Sequence, residues 1–290
     1  MSFFFLILFS LINYYYIKIW NKLSNKVPTG AGILLIIPCF FYYFEQNLYF
    51  LYTLLITIFS FLYFLDDLKT IHFLWRILLQ ILASLVIYLS LKIELNFIII
   101  FLNLLFFLIL INTLNFQDGE DLNIAILLII IFGIFYFYAE NKFIQNASEV
   151  ILFFLISFSL FNFKKNSIYF GDSGCYLISI IIILFFYNEI HNVMLIKLLI
   201  AVIFFPIIDV IYVVVYRIIK KENLLSRNYL HLYQILAKKI NLKYYLLPNI
   251  LFSFLNILIS LYFSLGINFI IFLVILNIVL LFLIRLILKK

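Results

Sequence analysis

Charged residues are scarce in this chain, and their scarcity excludes most classes of soluble protein. Asp, Glu, Lys and Arg make up 11% of the 290 residues, whereas hydrophobic residues make up 67% and the mean hydropathy is +1.22. In an ordinary soluble domain only about half of the residues are apolar. The two cysteines, Cys39 and Cys175, follow neither a metal-ligand spacing nor a disulfide framework. The composition therefore predicts an all-α, polytopic integral membrane protein.

Apolar runs follow one another along nearly the whole sequence. They cover about 3–20, 32–44, 48–65, 73–91, 95–113, 122–138, 149–163, 173–188, 193–217, 245–264 and 267–287. A membrane-spanning helix needs roughly 20 apolar residues, so these runs predict about eleven spans, several of them short. Little sequence remains for a soluble domain. We therefore expect one transmembrane domain over residues 1–290, with 217–243 as its longest polar loop.

The distribution of Lys and Arg predicts how these spans are oriented. If the loops alternate between the two sides, 17 of the 20 basic residues fall on one side and only Lys92, Lys142 and Lys197 fall on the other. Cytoplasmic loops carry the excess of basic residues in membrane proteins. The N-terminus is therefore expected outside and the C-terminus in the cytoplasm.

The acidic residues provide an independent test of this topology. Seven of them fall on the basic side, namely Asp66, Asp67, Asp118, Glu120, Asp121, Asp172 and Glu222. Five loops thus bring polar groups to one face, which predicts a cleft formed by the cytoplasmic ends of the helices. Asp209 lies within a span, where an acid is either functional or the structural partner of a neighbouring helix.

The segment 112–121 (NTLNFQDGED) holds the densest group of acids. It lies between two long apolar runs, where charge is costly unless a ligand or counter-ion shares the site. Asp118 and Asp121 are three residues apart, so both can face the same space. Asn and Asp oxygens are ligands that suit Mg²⁺, usually together with substrate phosphates. A solvated acidic turn is the alternative interpretation.

Asp66 and Asp67 end the third apolar run. Acids disfavour a helix C-terminus because of the helix dipole, so a compensating cation is expected: Lys69, Arg76 or a metal. A cation at Arg76 can also hold an anionic group of a substrate. A solvated cap is the structural alternative.

The segment 170–174 (FGDSG) opens the eighth run. Backbone N–H groups at such a helix start, here at Gly171 and Ser173, can bind phosphate, and Asp172 is then available to a bridging metal. A local N-cap by Asp172 or Ser173 explains the same residues. The two interpretations are compatible.

Two loops complete the polar face. Residues 24–32 (SNKVPTGAG) are either a simple turn or a flexible lip whose glycines let backbone approach a ligand. The basic loop 217–243 is typical of a cytoplasmic loop or an anionic-lipid contact. Alternatively, Arg227 and His231, four residues apart, grip a nucleotide diphosphate and its sugar.

These segments, taken in order, resemble one family over nearly the whole chain. The family is the polyprenyl-phosphate N-acetylhexosamine-1-phosphate transferases, membrane glycosyltransferase family 4. The resemblance is carried by VPTGAG at 27–32, FLDD at 64–67 with Arg76 and Gln80, NFQDGED at 115–121, GDSG at 171–174, and Pro206 to Arg217 leading into HLYQ at 231–234.

The resemblance implies transfer of a sugar 1-phosphate from a UDP-N-acetylhexosamine to a polyprenyl phosphate such as undecaprenyl phosphate, with Mg²⁺ and release of UMP. It implies a multi-pass protein of the inner membrane with its site on the cytoplasmic face. The lipid bilayer is an expected partner, nucleic acid is not, and a homodimer is left open. The HLYQ form is closer to the branch that starts O-antigen or similar surface glycans than to the peptidoglycan branch.

The resemblance also implies roles for individual residues. Asp66 and Asp67 correspond to the paired acids at the acceptor phosphate, and Asp118 and Asp121 to the acids that position nucleotide and metal. The implied metal ligands are Asn115 and Asp172. The implied phosphate-binding cation is Arg76, and the implied histidine of the sugar-side loop is His231.

Three positions depart from the family pattern. Leu122 replaces a glycine directly after the second acid, Asn228 replaces a histidine three residues before His231, and Ala31 separates Gly30 from Gly32. A catalytically impaired member of the family is therefore one alternative. A secondary transporter is another, although it typically shows repeats and midplane charges. A purely structural membrane protein would not need seven acids gathered on the basic side.

Overall fold

A computed structural model describes residues 2–23, 26–37, 50–69, 71–90, 97–164, 167–223, 228–239 and 243–289. Over those ranges the secondary structure is helical, without a strand. The described α-helices are α1 Ser2–Leu23, α2 Phe50–Leu68, α3 Phe73–Ser90, α4 Phe97–Gln117, α5 Asn123–Tyr138, α6 Lys142–Asn162, α7 Gly171–Asn188, α8 Val193–Ile219, α9 Leu232–Lys239, α10 Leu247–Tyr262 and α11 Ile267–Lys289. Two 3₁₀ helices join them, η1 Ala31–Leu35 and η2 Lys243–Leu246.

The predicted all-helical, polytopic fold is confirmed. Five helices of the described chain are long and apolar enough to cross a membrane, at Ile100–Gln117, Lys142–Asn162, Gly171–Asn188, Val193–Ile219 and Ile267–Leu288. Shorter apolar helices lie at Phe73–Tyr88, Asn123–Tyr138 and Leu247–Tyr262. The number of described α-helices equals the number of predicted spans, eleven, but the helices and the predicted spans do not correspond one to one. The predicted second run, 32–44, extends beyond the described residues, whereas α9 lies in the predicted basic loop.

Contacts divide the chain into two compact units, Met1–Ile190 and His191–Lys290. In the first unit, α7 packs against α2, α4 and η1, while α6 packs against α1 and α5. From Gly171 to Phe185 every residue of α7 except Asp172 is buried. A helix that is apolar all round is expected at the centre of its unit. The helix α7 therefore begins inside the unit, where the ends of other helices surround its first residues.

In the second unit, α8 packs against both α10 and α11. Asn256 of α10 and Asn277 of α11 exchange side-chain hydrogen bonds of 3.2 and 3.1 Å. Asn256 also donates to the carbonyl of Ala201 in α8, at 3.0 Å. Polar contacts of this kind stabilise helix association where lipid provides no hydrophobic driving force.

Candidate active site

The N-terminus of α7 is capped by carboxylates that are distant in sequence. Asp67 Oδ1 accepts the N–H of Asp172 at 2.9 Å, and Asp67 Oδ2 accepts the N–H and hydroxyl of Ser173 at 3.0 and 2.6 Å. Asp118 Oδ2 accepts the N–H of Gly171 at 2.6 Å. The local cap predicted from Asp172 or Ser173 is wrong, because the helix has no side-chain cap of its own and begins after Phe170.

These contacts explain how acids are tolerated where α2 ends. Two negative groups near a helix N-terminus interact favourably with its dipole, each by about 0.3–1 kcal/mol at an exposed site and up to about 2 kcal/mol where partly buried. The compensation predicted for the Asp66-Asp67 pair therefore has two sources. Asp67 has the N-terminus of α7, and Asp66 has a side-chain cation.

Arg76 is that cation. Its Nε lies 2.7 Å from Asp66 Oδ2, and its Nη2 donates to Asp66 Oδ1 at 3.0 Å. Such a two-point arrangement is the strong form of a carboxylate–guanidinium pair. Arg76 Nη1 also reaches Asp172 Oδ2 at 3.2 Å. Asp66 is buried, whereas the side chains of Arg76 and Asp172 are 33% and 27% exposed. A ligand can therefore reach Arg76 and Asp172 but not Asp66.

Glycines allow η1 to lie directly against this helix start. The N–H groups of Ala31 and Gly32 donate to the carbonyls of Tyr169 and Phe170, at 3.2 and 2.9 Å. A Cβ atom on Gly32 would lie 2.3 Å from Cα of Gly174, so any side chain there would force the backbones apart. The close approach predicted for the glycines is therefore made to α7 of the same chain.

Gly30 and Gly171 have the positive φ values of 77° and 82° that glycine adopts readily. A Cβ on Gly171 would lie 2.3 Å from the nitrogen of Gly30, and a Cβ on Gly30 would lie 2.8 Å from Asp67 Oδ2. Both glycines thus border the Asp67 carboxylate. The segments 28–32 and 169–174 form one scaffold around it.

The turn after α4 carries Asp118 and the buried Asp121. It ends at Leu122, which adopts a left-handed conformation with φ of 63° and ψ of −13°. Glycine is the residue that normally takes this conformation, which gives a physical reason for the glycine of the family pattern. In this chain a leucine adopts the left-handed conformation instead.

Asn162, at the end of α6, ties this turn to the segment before α7. Its Oδ1 accepts the N–H of Leu122 at 2.5 Å, and its Nδ2 donates to the carbonyl of Ile168 at 2.5 Å. The side chain is buried. Asn162 therefore links the two segments that present Asp118 and Asp172. The sequence analysis missed it, because an asparagine at the end of an apolar run carries no signal of its long-range partners.

Asp118 lies outside the membrane-spanning helices, and its environment disfavours the charged form. Burial raises the pKa of Asp118 to about 8, the Gly171 N–H opposes that rise, and the nearby Asp67 carboxylate adds to it. A cation arriving beside Asp118 would favour loss of its proton.

The residues implied as metal ligands lie close to each other. The Asn115 amide lies within reach of the Asp172 carboxylate. Among the described residues, no group of three or more His, Cys, Asp and Glu side chains is arranged around a metal position. Mg²⁺, however, commonly takes one or two carboxylates, with water and substrate phosphate completing its shell. The oxygens of Asn115 and Asp172 fit that requirement. Their assignment as metal ligands stays a prediction.

The second unit holds the predicted residues of the sugar-side loop. Arg227 lies outside the described residues. His231 precedes α9, and its Nδ1 lies 3.0 Å from Oδ2 of Asp209. Arg285, which the sequence analysis did not select, lies 2.8 Å from Oδ1 of the same aspartate. Asp209 is thus a structural partner of neighbouring elements, one of the two interpretations left open for it.

The first unit therefore brings together eight of the predicted site residues: Asp66, Asp67, Arg76, Asn115, Asp118, Gly171, Asp172 and Ser173. The N–H groups predicted to bind phosphate at Gly171 and Ser173 donate to Asp118 and Asp67 in this structure. Phosphate binding at those two residues stays a prediction.

No curated protein matches the chain. Residues 49–190, which contain the carboxylates Asp66, Asp67, Asp118 and Asp172, match the family model of Glycosyl transferase family 4, and this match supports a place for the chain in the membrane glycosyltransferase family 4.

Proposed function

We propose that the protein transfers a sugar 1-phosphate from a UDP-N-acetylhexosamine to a polyprenyl phosphate such as undecaprenyl phosphate, releasing UMP. The observation that carries this proposal is the convergence of Asp67, Asp118 and Asp172 with Arg76 at the N-terminus of α7. The family match over residues 49–190 supports the same class of reaction. We place the protein in the inner membrane, with its active site on the cytoplasmic face. The proposed reaction is the first membrane step in the assembly of a surface glycan.

The reaction brings an anionic acceptor to an anionic diphosphate, so the site must offset negative charge and hold the reacting groups in line. Arg76 provides a permanent cation with part of its side chain exposed. Asn115 and Asp172 would hold Mg²⁺, which when bound supplies stabilisation of the charge on the departing UMP. The acceptor phosphate is already ionised near neutral pH, so attack requires no strong base.

We propose direct attack by the acceptor phosphate, without a covalent enzyme intermediate. Asp66 contacts Arg76 at two points and also accepts the N–H of Ile71 at 2.6 Å. Asp118 accepts the N–H groups of Gly171 and Phe170 at 2.6 and 3.4 Å. Either carboxylate would have to give up these partners to act as a nucleophile. Trapping of a phospho-aspartate at Asp66 or Asp118 would overturn this part of the proposal.

The function is tested with purified protein, undecaprenyl phosphate and a panel of UDP-N-acetylhexosamines. We expect UMP release that requires Mg²⁺ and a lipid product of matching mass. Asp118→Asn should abolish release, whereas Glu140→Gln, which changes an exposed carboxylate away from the site, should not. Absence of UMP release with every donor, from folded protein, would contradict the proposal.

A further inference from the structure

His231 belongs to a buried network in the second unit. The side chains of His231 and Asp209 are each 2% exposed. Asp209 accepts from the His231 ring and also from the N–H of Leu232, at 3.2 and 3.3 Å to its two oxygens. One carboxylate from α8 therefore fixes both the imidazole ring and the first residue of α9.

Arg285 of α11 completes this network. Its Nη2 lies 2.8 Å from Asp209 Oδ1 and 2.9 Å from the carbonyl oxygen of Leu230. Its guanidinium carbon lies 4.1 Å from the centre of the Tyr212 ring, within range of a cation–π interaction. A single guanidinium thus binds Asp209, which is the partner of His231, and also the carbonyl of the peptide group that joins Leu230 to His231.

The charges explain why an arginine is suited to this position. A buried carboxylate without a counter-charge is strongly unfavourable. Arg285 is always protonated and supplies that charge, so His231 is not required as the counter-ion of Asp209. The hydrogen bond at Nδ1 fixes the ring orientation and therefore the direction in which Nε2 points.

A simpler interpretation is that Arg285 only extends its charge toward the membrane surface, as long basic side chains near helix ends often do. The geometry argues against it. The Arg285 side chain is only 10% exposed, and its terminal nitrogen contacts Asp209 and Leu230 at hydrogen-bond distance. A residue that only reached toward the surface would not have to meet both groups.

We propose that Arg285 is a positioning residue that orients His231 toward the sugar nucleotide by fixing Asp209 and the Leu230 carbonyl. The inference rests on the proposed function in one respect, which is that His231 contacts the UDP-sugar donor. It assigns to α11 a part in donor binding through Leu230 and His231, the residues directly before α9.

The kinetic test compares Arg285→Gln and Arg285→Lys with Lys239→Gln. Lys239 is a matched control, because its Nζ also joins α9 to α11, through the carbonyl of Leu288, without touching Asp209. We expect Arg285→Gln to raise KM for the UDP-sugar about tenfold and to change KM for the polyprenyl phosphate less than about twofold. Arg285→Lys should restore part of the donor affinity, and Lys239→Gln should resemble the wild type.

A double-mutant cycle separates positioning from general stability. In a His231→Ala background, Arg285→Gln should raise KM for the donor by less than about twofold, because Arg285 acts through the missing ring. An undiminished effect in that background would overturn the proposal. So would equal rises in KM for both substrates.

A measurement without catalysis distinguishes this proposal from the proposed function. Hydrogen exchange of residues 229–236, followed by mass spectrometry, should be faster in Arg285→Gln than in Lys239→Gln. Unchanged exchange would overturn the positioning role. If the wild type releases no UMP while exchange still responds to Arg285, the proposed function fails and the structural link from Arg285 to the His231 segment stands.

Discussion

The left-handed conformation of Leu122 leads to a prediction about alanine and glycine at this position. Both Leu122→Ala and Leu122→Gly remove a side chain that is only 9% exposed, and loss of a buried leucine costs about 2–5 kcal/mol. The two variants differ in the backbone. Alanine keeps a strain of about 1–2 kcal/mol at φ of 63°, whereas glycine relieves it but loses about 0.4–1 kcal/mol through the entropy of the unfolded chain. Leu122→Gly should therefore be the more stable variant by about 0.5–1 kcal/mol.

The assay is equilibrium unfolding of both variants in mixed detergent micelles. Ala125→Gly is the matched control, because Ala125 is fully buried within α5, close to the same turn. In a helix interior glycine is about 1 kcal/mol less favourable than alanine. The effect of glycine relative to alanine should thus have opposite signs at positions 122 and 125. If glycine is the less stable residue at both positions, the strain argument is refuted.

Three further predictions concern the scaffold around α7. Gly32→Ala should impair folding and activity, because its Cβ would lie 2.3 Å from the Gly174 backbone, whereas Gly133→Ala, with nothing within 4 Å, should be neutral or stabilising by up to about 1 kcal/mol when unfolding is measured. Asn162→Ala should lower the free energy of unfolding by about 2–4 kcal/mol, because it leaves two buried backbone groups without their partner; a loss below about 0.5 kcal/mol would contradict a stabilising role for these two hydrogen bonds. Without Mg²⁺, the stability of the wild type relative to Asp118→Asn should fall as pH rises from about 4 to about 8, because the folded protein retains a proton that the unfolded chain releases near 3.8; a rise in relative stability over that range would contradict the raised pKa.

The fold class followed from composition, because a chain with so few charges has few alternatives to a bundle of apolar helices. The boundaries of most helices followed from the same runs. The helix α9 was missed, because Leu232–Lys239 is short and more polar than the spans. Its start is fixed by Asp209, a residue of α8, and such a tertiary contact leaves no periodic signal in the local sequence.

The acids of the site could be selected from the sequence because charge is costly beside apolar spans. Their partners could not be selected in the same way. The cap of α7 comes from Asp67, 105 residues away from Asp172, and from Asp118, 53 residues away from Gly171. A local cap by Asp172 or Ser173 satisfies the same propensity rules, so only the packing of α2 and α4 against α7 decides between the two.

The departure at Leu122 has a different meaning once its backbone is known. Glycine in the family pattern suits a left-handed turn, and Leu122 adopts that turn because its N–H is held by Asn162 and its carbonyl accepts the N–H of Ile126 at 2.9 Å. These two hydrogen bonds thus stabilise a backbone conformation that leucine by itself disfavours. Asp118 is consequently presented to the α7 N-terminus in spite of the substitution.

The contacts of the carboxylates also rank them by their freedom to meet a ligand. Asp66 is buried against Arg76, and Asp67 accepts three hydrogen bonds from the start of α7. Asp172 is different, since its side chain is 27% exposed and its ion pair is with Arg76 alone among the described residues. A substrate or cation can displace such partly exposed contacts, here those with Arg76 and Asn115, at far lower cost than a set of buried ones. The contacts of Asp66 and Asp67 thus hold Arg76 and the start of α7 in place, and Asp172 is the carboxylate with the most exposed contact among the three.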